Sequence, residues 1–261
     1  MAPHGFHQVV ILFLIGIIVG FLSGLLGKGG SAIATPALQV FGGIAPYIAL
    51  ASPLPMSLTN AVSGSIAYYK ERLLHKQVIL LTLYWGVPGT ILGSYISKFV
   101  GGKMLMIFTA IFVCVLGISF LIPMFVKIPS MATTSLELTD NPPVWKTVTI
   151  ALSVGLLSGL LANGGGVLFA PLFIRWLKMP TKQAMATSLI VAGGLALPGT
   201  LVHWWLGHID WWVVLILSVG SIPSAYLGAK AAIKMKSQTL EIIFGTMLII
   251  FGLYDIYFSL K

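Results

Sequence analysis

A lysine and three glycines interrupt the first long apolar run of the chain, in the segment Gly27-Lys28-Gly29-Gly30-Ser31. A lysine at membrane depth costs about 2.5–3.5 kcal/mol on insertion scales unless it faces water or a partner. Glycines in front of a short helix leave backbone N–H groups unpaired, and a helix N-terminus attracts an anion. We therefore predict that Lys28, Gly29, Gly30 and Ser31 form part of an anion-binding site.

Both features also have a purely structural explanation. Lys28 would mark only the membrane topology if its side chain reached the lipid–water interface. The glycines would serve only close helix packing, as the four-residue spacing of Gly16, Gly20 and Gly24 indicates for the preceding helix. The sequence leaves these alternatives open.

The same pattern occurs a second time, as Asn163-Gly164-Gly165-Gly166. Pro171 follows this second break at the same spacing as Pro36 follows the first. Adding 135 to a residue number in the first half gives its counterpart in the second, so that Lys28 corresponds to Asn163. Two broken helices at corresponding positions of two halves indicate a transporter binding site. We predict that Asn163, Gly164, Gly165 and Gly166 contact the same anion.

Other polar residues lie inside apolar runs, around Pro53 and Pro55 in the first half. Prolines leave nearby backbone groups without partners, and those groups need polar neighbours inside a membrane. The alternative is that the hydroxyls bond only to the backbone of their own helix. The residues predicted to line the cavity are Ser52, Ser57 and Asn60, with Thr187 and Ser188 in the matching region of the second half.

Composition identifies a polytopic membrane protein. The 261 residues are 57% hydrophobic and 8% charged, whereas soluble domains average about 25% charged residues. The net charge of +9 is explained by basic cytoplasmic loops rather than by nucleic-acid binding. Cys114 is the single cysteine, which excludes a disulfide or thiolate cluster within the chain. The expected partners are a small anion and the lipid bilayer, with no cofactor and no metal.

The elements that must position these residues are apolar segments, and runs of about 20 residues are long enough to span a bilayer. We divide the chain into a first transmembrane repeat at 1–126, a linker at 127–145 and a second repeat at 146–261. Two segments, 31–41 and 166–177, are only half a span long. The full-length runs are 9–26, which we interpret as a retained helix, and 47–69, 78–98, 104–123, 147–162, 183–206, 211–230 and 240–260.

Loop charges predict that the two repeats have inverted topology. Basic residues occur at 70–76 and 175–182, whereas the corresponding loops at 205–211 and 42–46 contain no lysine or arginine. Because basic loops stay in the cytoplasm, corresponding loops then lie on opposite sides of the membrane. The loop with Lys98 and Lys103 is the exception. The prediction is an all-α transmembrane bundle of two inverted repeats, each with about five helical segments and a broken helix.

The remaining polar residues favour transport over catalysis. All six acidic residues fall in loops or near helix ends, so none is placed as a mid-span carboxylate that couples transport to protons or sodium. Backbone carbonyls at an unwound segment leave sodium coupling open. We expect His203 to lie at the membrane interface rather than to carry a proton. An intramembrane hydrolase would require Ser63 and His203 to meet, and the glycine spacing does not match a P-loop.

With these residues in hand, the chain resembles the TauE/SafE family of sulfite exporters and sulfonate permeases. The glycine break followed by proline occurs twice, and two further stretches, Ala186-Thr187-Ser188-Leu189 and Gly207-His208-Ile209-Asp210-Trp211, are similar to the family. The resemblance implies a multi-pass carrier of the bacterial inner membrane for sulfite or an organosulfonate. Lys28, Ser31 and the stretch 51–55 depart from the pattern. The alternative is an anion channel or a non-transporting membrane scaffold.

Overall fold

The structure is a computed structural model that describes residues 5–27, 30–96, 142–161 and 166–260, with six isolated positions between 111 and 121. All regular elements in these ranges are α-helices. They are α1 (Phe6–Leu26), α2 (Ser31–Val40), α3 (Pro46–Ala51), α4 (Pro53–Lys70), α5 (Lys76–Ile96), α6 (Val144–Leu161), α7 (Gly166–Arg175), α8 (Thr181–Trp205), α9 (Trp211–Lys234) and α10 (Ser237–Leu260).

The predicted all-α membrane architecture is confirmed. Among the described helices, α1, α5, α8 and α9 are each long and apolar enough to cross a bilayer. Large apolar side chains cover their outer faces, such as Leu80, which is 69% exposed, and Val219, which is 58% exposed. Lipid solvates such a surface, whereas a soluble monomer rarely exposes one. The chain is therefore a multi-pass membrane protein.

The helix bounds lie within a few residues of the predicted runs, with one difference. The run predicted at 47–69 is divided into α3 and α4 at Ser52. Pro53 and Pro55 have no backbone N–H, so the helix loses two of its hydrogen bonds at this point. Most of the run predicted at 104–123, and residues 127–141 of the linker predicted at 127–145, lie outside the described residues.

Helix bounds in the two halves correspond at the same spacing of 135 residues. The bounds of α2 become those of α7, and the stretch from the start of α3 to the end of α4 becomes that of α8. The start of α5 likewise becomes the start of α9. The backbone thus repeats the pattern that the glycines and prolines show in the sequence.

Two helix pairs form the most extensive interfaces, α1 with α9 and α5 with α6. Both pairs approach closely through glycines, because a Cβ at these positions would overlap a carbonyl oxygen of the partner helix. These contacts confirm the structural explanation of the glycine ridge on α1. The pairs are Gly20 with Ser221 and Gly24 with Ala225, and their counterparts are Gly155 with Gly86 and Gly159 with Thr90.

The order of these contacts gives the helix directions. Along α1, Gly16, Gly20 and Gly24 meet Leu217, Ser221 and Ala225 in turn, so α1 and α9 run parallel. The contacts of α6 with α5 ascend in the same way. The central helices α4 and α8 run antiparallel, since Leu54 contacts Gly199 whereas Gly64 lies beside Leu189. Asn60 and Gly193 therefore lie near the middle of the bundle.

Candidate functional site

The first break begins where α1 ends, at Gly27. Its φ of 65° places it in the left-handed region, and its N–H donates to the Ser23 carbonyl, as is common for glycine after a helix. Two hydroxyls from other helices bond to the carbonyls left free at this helix end. Ser188 of α8 donates to the Gly27 carbonyl at 2.6 Å, and Tyr68 of α4 donates to the Gly24 carbonyl at 2.8 Å. The end of α1 is thus fixed by α4 and α8.

The next helix, α2, starts near the middle of the bundle. Gly30 caps this helix with a φ of 74°, a conformation that favours glycine. A Cβ on Gly30 would contact the Val19 side chain at 3.0 Å, so α2 begins beside the middle of α1. Ten residues rise about 15 Å, and α2 ends next to Gly42, whose carbonyl accepts a hydrogen bond from the Gln8 side chain. The segment is a half-helix, as its length predicts.

Asn60 of α4 faces the start of α2. Its side chain is fully buried, and a Cβ on Gly30 would lie 3.3 Å from its Nδ2. Neither its Oδ1 nor its Nδ2 has a hydrogen-bond partner among the described residues. A buried polar group left unpaired costs about 1–3 kcal/mol, and the first turn of a helix offers further unpaired N–H groups. Asn60 and Gly30, with the buried Ser31 beside them, therefore form a polar centre in which a ligand oxygen would accept a hydrogen bond from the Asn60 Nδ2.

The structure places the other predicted hydroxyls at backbone contacts. The Ser52 hydroxyl accepts a hydrogen bond from the Asp210 N–H at 3.1 Å, and that of Thr187 accepts one from the His75 N–H at 3.2 Å. Ser52 and Thr187 correspond at the 135-residue spacing, as do Asp210 and His75. Because α4 and α8 run antiparallel, these two contacts lie at opposite ends of the bundle.

Ser57 and Ser188 also bond to backbone carbonyls. Ser57 donates to the Pro53 carbonyl of its own helix at 3.1 Å, as the alternative explanation for these hydroxyls requires. Ser188 joins α8 to the end of α1, as described above. Five predicted site residues, Lys28, Gly29, Asn163, Gly164 and Gly165, lie outside the described residues.

The second half differs from the first at the residues that correspond to Ser31 and Asn60. Gly166, the counterpart of Ser31, is buried at the start of α7. Leu195, the counterpart of Asn60, is fully buried and lies against Gly86, where a Cβ would be 3.1 Å from its methyl groups. The second half therefore has a buried apolar side chain at the position where the first half has the Asn60 amide.

His203 lies in the last turn of α8, the helix end at which it was expected, and its depth in the membrane stays a prediction. Its side chain is only 2% exposed, because the loop after α8 folds back and places its Nδ1 3.3 Å from the Nδ1 of His208. The Ser63 hydroxyl donates instead to the Ile222 carbonyl, so the structure does not pair Ser63 with His203 as a hydrolase would need. One sequence signal could have revealed the histidine pair. His203 and His208 are five residues apart, on the two sides of the end of α8.

Comparison with known proteins identifies related chains across nearly the whole length. Residues 12–254 match the family described as Sulfite exporter TauE/SafE. A probable membrane transporter protein of Bacillus subtilis, YunE, is 27% identical over 95% of this chain and 97% of its own length. A probable membrane transporter protein of Xylella fastidiosa is 29% identical over 97% of both chains. No solved structure matches the chain significantly.

Proposed function

This chain belongs to the sulfite exporter TauE/SafE family, and from that membership we propose that it is a secondary transporter for sulfite or an organosulfonate. The family is one of membrane transporters, and the names of the relatives specify no substrate. The substrate class is supported by the family description and by the anion-binding character of the first break. The single observation that carries the proposal is the fully buried amide of Asn60 at the start of α2, which has no hydrogen-bond partner among the described residues.

The anion binds near the middle of the bundle in this proposal. Its oxygens accept hydrogen bonds from the first turn of α2 and from the Asn60 amide, and the partial positive charge of the helix end offsets its negative charge. Lys28 supplies the full positive charge. The second break contributes Asn163 and the glycines 164–166 from the other half of the molecule.

We further propose that the two halves are inverted repeats with boundaries near 126 and 146. The helix directions support this arrangement, because α4 and its counterpart region in α8 run antiparallel. The basic residues of loops 70–76 and 175–182 then lie on the cytoplasmic side, and the N-terminus of α1 lies outside. An inverted repeat exposes one central site alternately to the two sides of the membrane.

Site-specific labelling tests the topology. Gly5 precedes α1 in open space, and Glu71 is exposed at the end of α4, so Gly5→Cys and Glu71→Cys leave the packing intact. In a Cys114→Ala background, we expect an impermeant maleimide to label Gly5→Cys from outside the cell and Glu71→Cys only from inside. Labelling of both from one side would contradict the proposed arrangement.

Binding and transport assays test the function. A ligand that binds only the folded state raises its stability by about 2.7 kcal/mol at 100 times its Kd, so sulfite or a sulfonate should raise the melting temperature more than a carboxylate does. In proteoliposomes, saturable counterflow of the same anion would identify a carrier. Uptake of the anion without counterflow would identify a channel.

Lys28→Met keeps the side-chain stem and should weaken anion binding by about 1.5–3 kcal/mol. Normal binding by this variant would show that Lys28 only marks topology.

A further inference from the structure

A histidine pair lies at the end of the bundle where α8 meets α9. The Nδ1 atoms of His203 and His208 are 3.3 Å apart, and the two rings are tilted with their centroids 5.6 Å apart. Only one hydrogen fits between two nitrogens at this distance, so one ring donates and the other accepts. The pair therefore holds at most one positive charge without placing two N–H groups face to face.

The second nitrogen of His203 makes the pair unusual. Its Nε2 is buried and has no hydrogen-bond partner among the described residues. When the pair gains a proton at His203, this nitrogen becomes an N–H donor of a cation away from water. A buried cation is costly unless an opposite charge neutralises it. A transported anion would supply both the missing acceptor and the neutralising charge.

Two other ionisable groups lie at or beside the pair in the described part of the chain, Asp210 and Tyr47. The Asp210 carboxylate already caps α9 by accepting from the Trp212 and Val213 N–H groups, and Tyr47 of α3 stacks on His208 at 5.3 Å. Titratable residues on the helices that contact α8 are His7 on α1, Tyr68, Tyr69 and Lys70 on α4, Lys76, Tyr84 and Tyr95 on α5, Lys146 on α6, Arg175 on α7, and Glu241, Tyr254, Asp255 and Tyr257 on α10.

Some of these groups are placed away from the pair. Tyr68 bonds to Gly24, and Glu241 bonds to Thr181 at the opposite end of α8. Burial lowers the pKa of His208 below its usual value. Its charged form therefore becomes populated only as the pH falls.

The pair lies between the proposed substrate site and one end of the bundle. Gly193 of α8 packs against α4 at Ala61, the neighbour of Asn60, and His203 follows ten residues later, which is an axial rise of about 15 Å. The loop with His208 is tied to the α3–α4 junction by the Ser52–Asp210 contact. In the proposed topology this is the outer end, so an anion that enters or leaves there crosses the axial level of the pair.

We propose that His203 and His208 form the proton-binding site that couples this transporter to protons, so that one proton travels with one monovalent anion. The proton adds to an imidazole lone pair on the outer side and leaves it to water on the inner side, with no other bond formed or broken. The anion and the proton together carry no net charge across the membrane. This coupling rests on the proposed function as an anion transporter.

The test uses the full-length protein in liposomes that contain a pH-sensitive dye. The probe is radiolabelled ethanesulfonate, because its charge does not change between pH 5 and 8. We expect inward ethanesulfonate transport to acidify the lumen, and we expect its rate to be insensitive to an imposed membrane potential. Above the pKa of the pair, the rate should fall about tenfold for each unit of pH, since the protonated fraction does so.

Variants assign the effect to the pair. His203→Gln should reduce proton entry at least tenfold and remove the pH dependence of ethanesulfonate uptake. His208→Gln should shift the pH profile, and it serves as the second variant if His203→Gln does not fold. His7→Gln is the matched control, because His7 is an exposed histidine in the first turn of α1, and it should behave as the unaltered protein.

Other results would contradict either the coupling role of the histidine pair or the proposed transport function. Ethanesulfonate uptake without acidification, or acidification that persists in both His203→Gln and His208→Gln, removes the coupling role and leaves the proposed transport function standing. If folded protein transports neither ethanesulfonate nor sulfite, the proposed function fails and the coupling fails with it.

Discussion

In the first half of the chain, a buried amide faces the start of the half-helix, whereas the corresponding residue of the second half is a buried leucine. Asn60 lacks partners among the described residues, while Leu195 packs against Gly86 as an ordinary core residue. Ser31 and its counterpart Gly166 also differ in polarity, because only the residue of the first half has a hydroxyl. At these two pairs of corresponding positions, the polar side chain therefore belongs to the first half alone.

The framework around the breaks is, by contrast, the same in both halves. Gly24 and Gly159 meet carbonyls of corresponding partner helices, and Ser52 and Thr187 accept hydrogen bonds from corresponding N–H groups. A glycine at a backbone contact has no substitute of similar size, so such positions tolerate little change. A side chain that faces a ligand can differ between halves, because one asymmetric anion does not need two identical sets of partners.

The largest effect is expected where the framework is tightest. In Gly24→Val and Gly159→Val, the new side chain would overlap a carbonyl oxygen of α9 or α5. Overpacking of a core costs about 1–3 kcal/mol, and occasionally more, and backbone atoms cannot yield as a side chain can. We expect both variants to lose most of the folded protein recovered by size-exclusion chromatography in detergent.

A neutral substitution controls this comparison. Gly5→Ala has no atoms within 4 Å of the new methyl group and should be recovered at the normal level. If Gly24→Val is lost while Gly159→Val folds normally, the two halves do not share one framework.

The second effect tests the difference between the halves. Asn60→Leu makes the first half resemble the second and should weaken sulfite or sulfonate binding by about 1.5–3 kcal/mol, the range for hydrogen bonds to charged groups. The variant should melt at the same or a higher temperature, since it removes a buried amide that has no partner among the described residues. Leu195→Asn, the reciprocal change, should lower the free energy of unfolding by about 1–3 kcal/mol. Unchanged binding in Asn60→Leu would make Asn60 a packing residue.

The sequence was sufficient to predict most of the helices and the position of both breaks. Runs of apolar residues determine where helices can exist in lipid, and glycine determines where they can end in a left-handed turn, as at Gly27 and Gly30. The partner of each side chain was harder to predict. Ser52 and Asp210 are 158 residues apart, and only the antiparallel crossing of α4 and α8 decides whether a hydroxyl near Pro53 faces a cavity or a loop.

His203 shows the same limit. A histidine in the last turn of a spanning helix is ordinarily at the interface, and its burial depends on the path of the following loop over it. Local periodicity contains no information on that path. Asn60 was predicted as a cavity residue, but its orientation toward Gly30 depends on where α2 starts along α1. A glycine break in the sequence is compatible with several such starting points.

The smallest effect distinguishes two roles of Ser52 and Thr187, which are holding a loop in place and contacting the anion. Each hydroxyl accepts one backbone N–H, so Ser52→Ala and Thr187→Val should each lower the free energy of unfolding by about 0.5–1.5 kcal/mol, the net value of one hydrogen bond. Thermal unfolding in detergent should show equal shifts for the two variants if both residues only fasten loops. Anion binding, measured on the same samples, should then be unchanged. If Ser52→Ala loses anion binding and Thr187→Val does not, Ser52 lies beside the anion. The polar contacts that the first half makes with the anion would then extend from Asn60 to the α3–α4 junction.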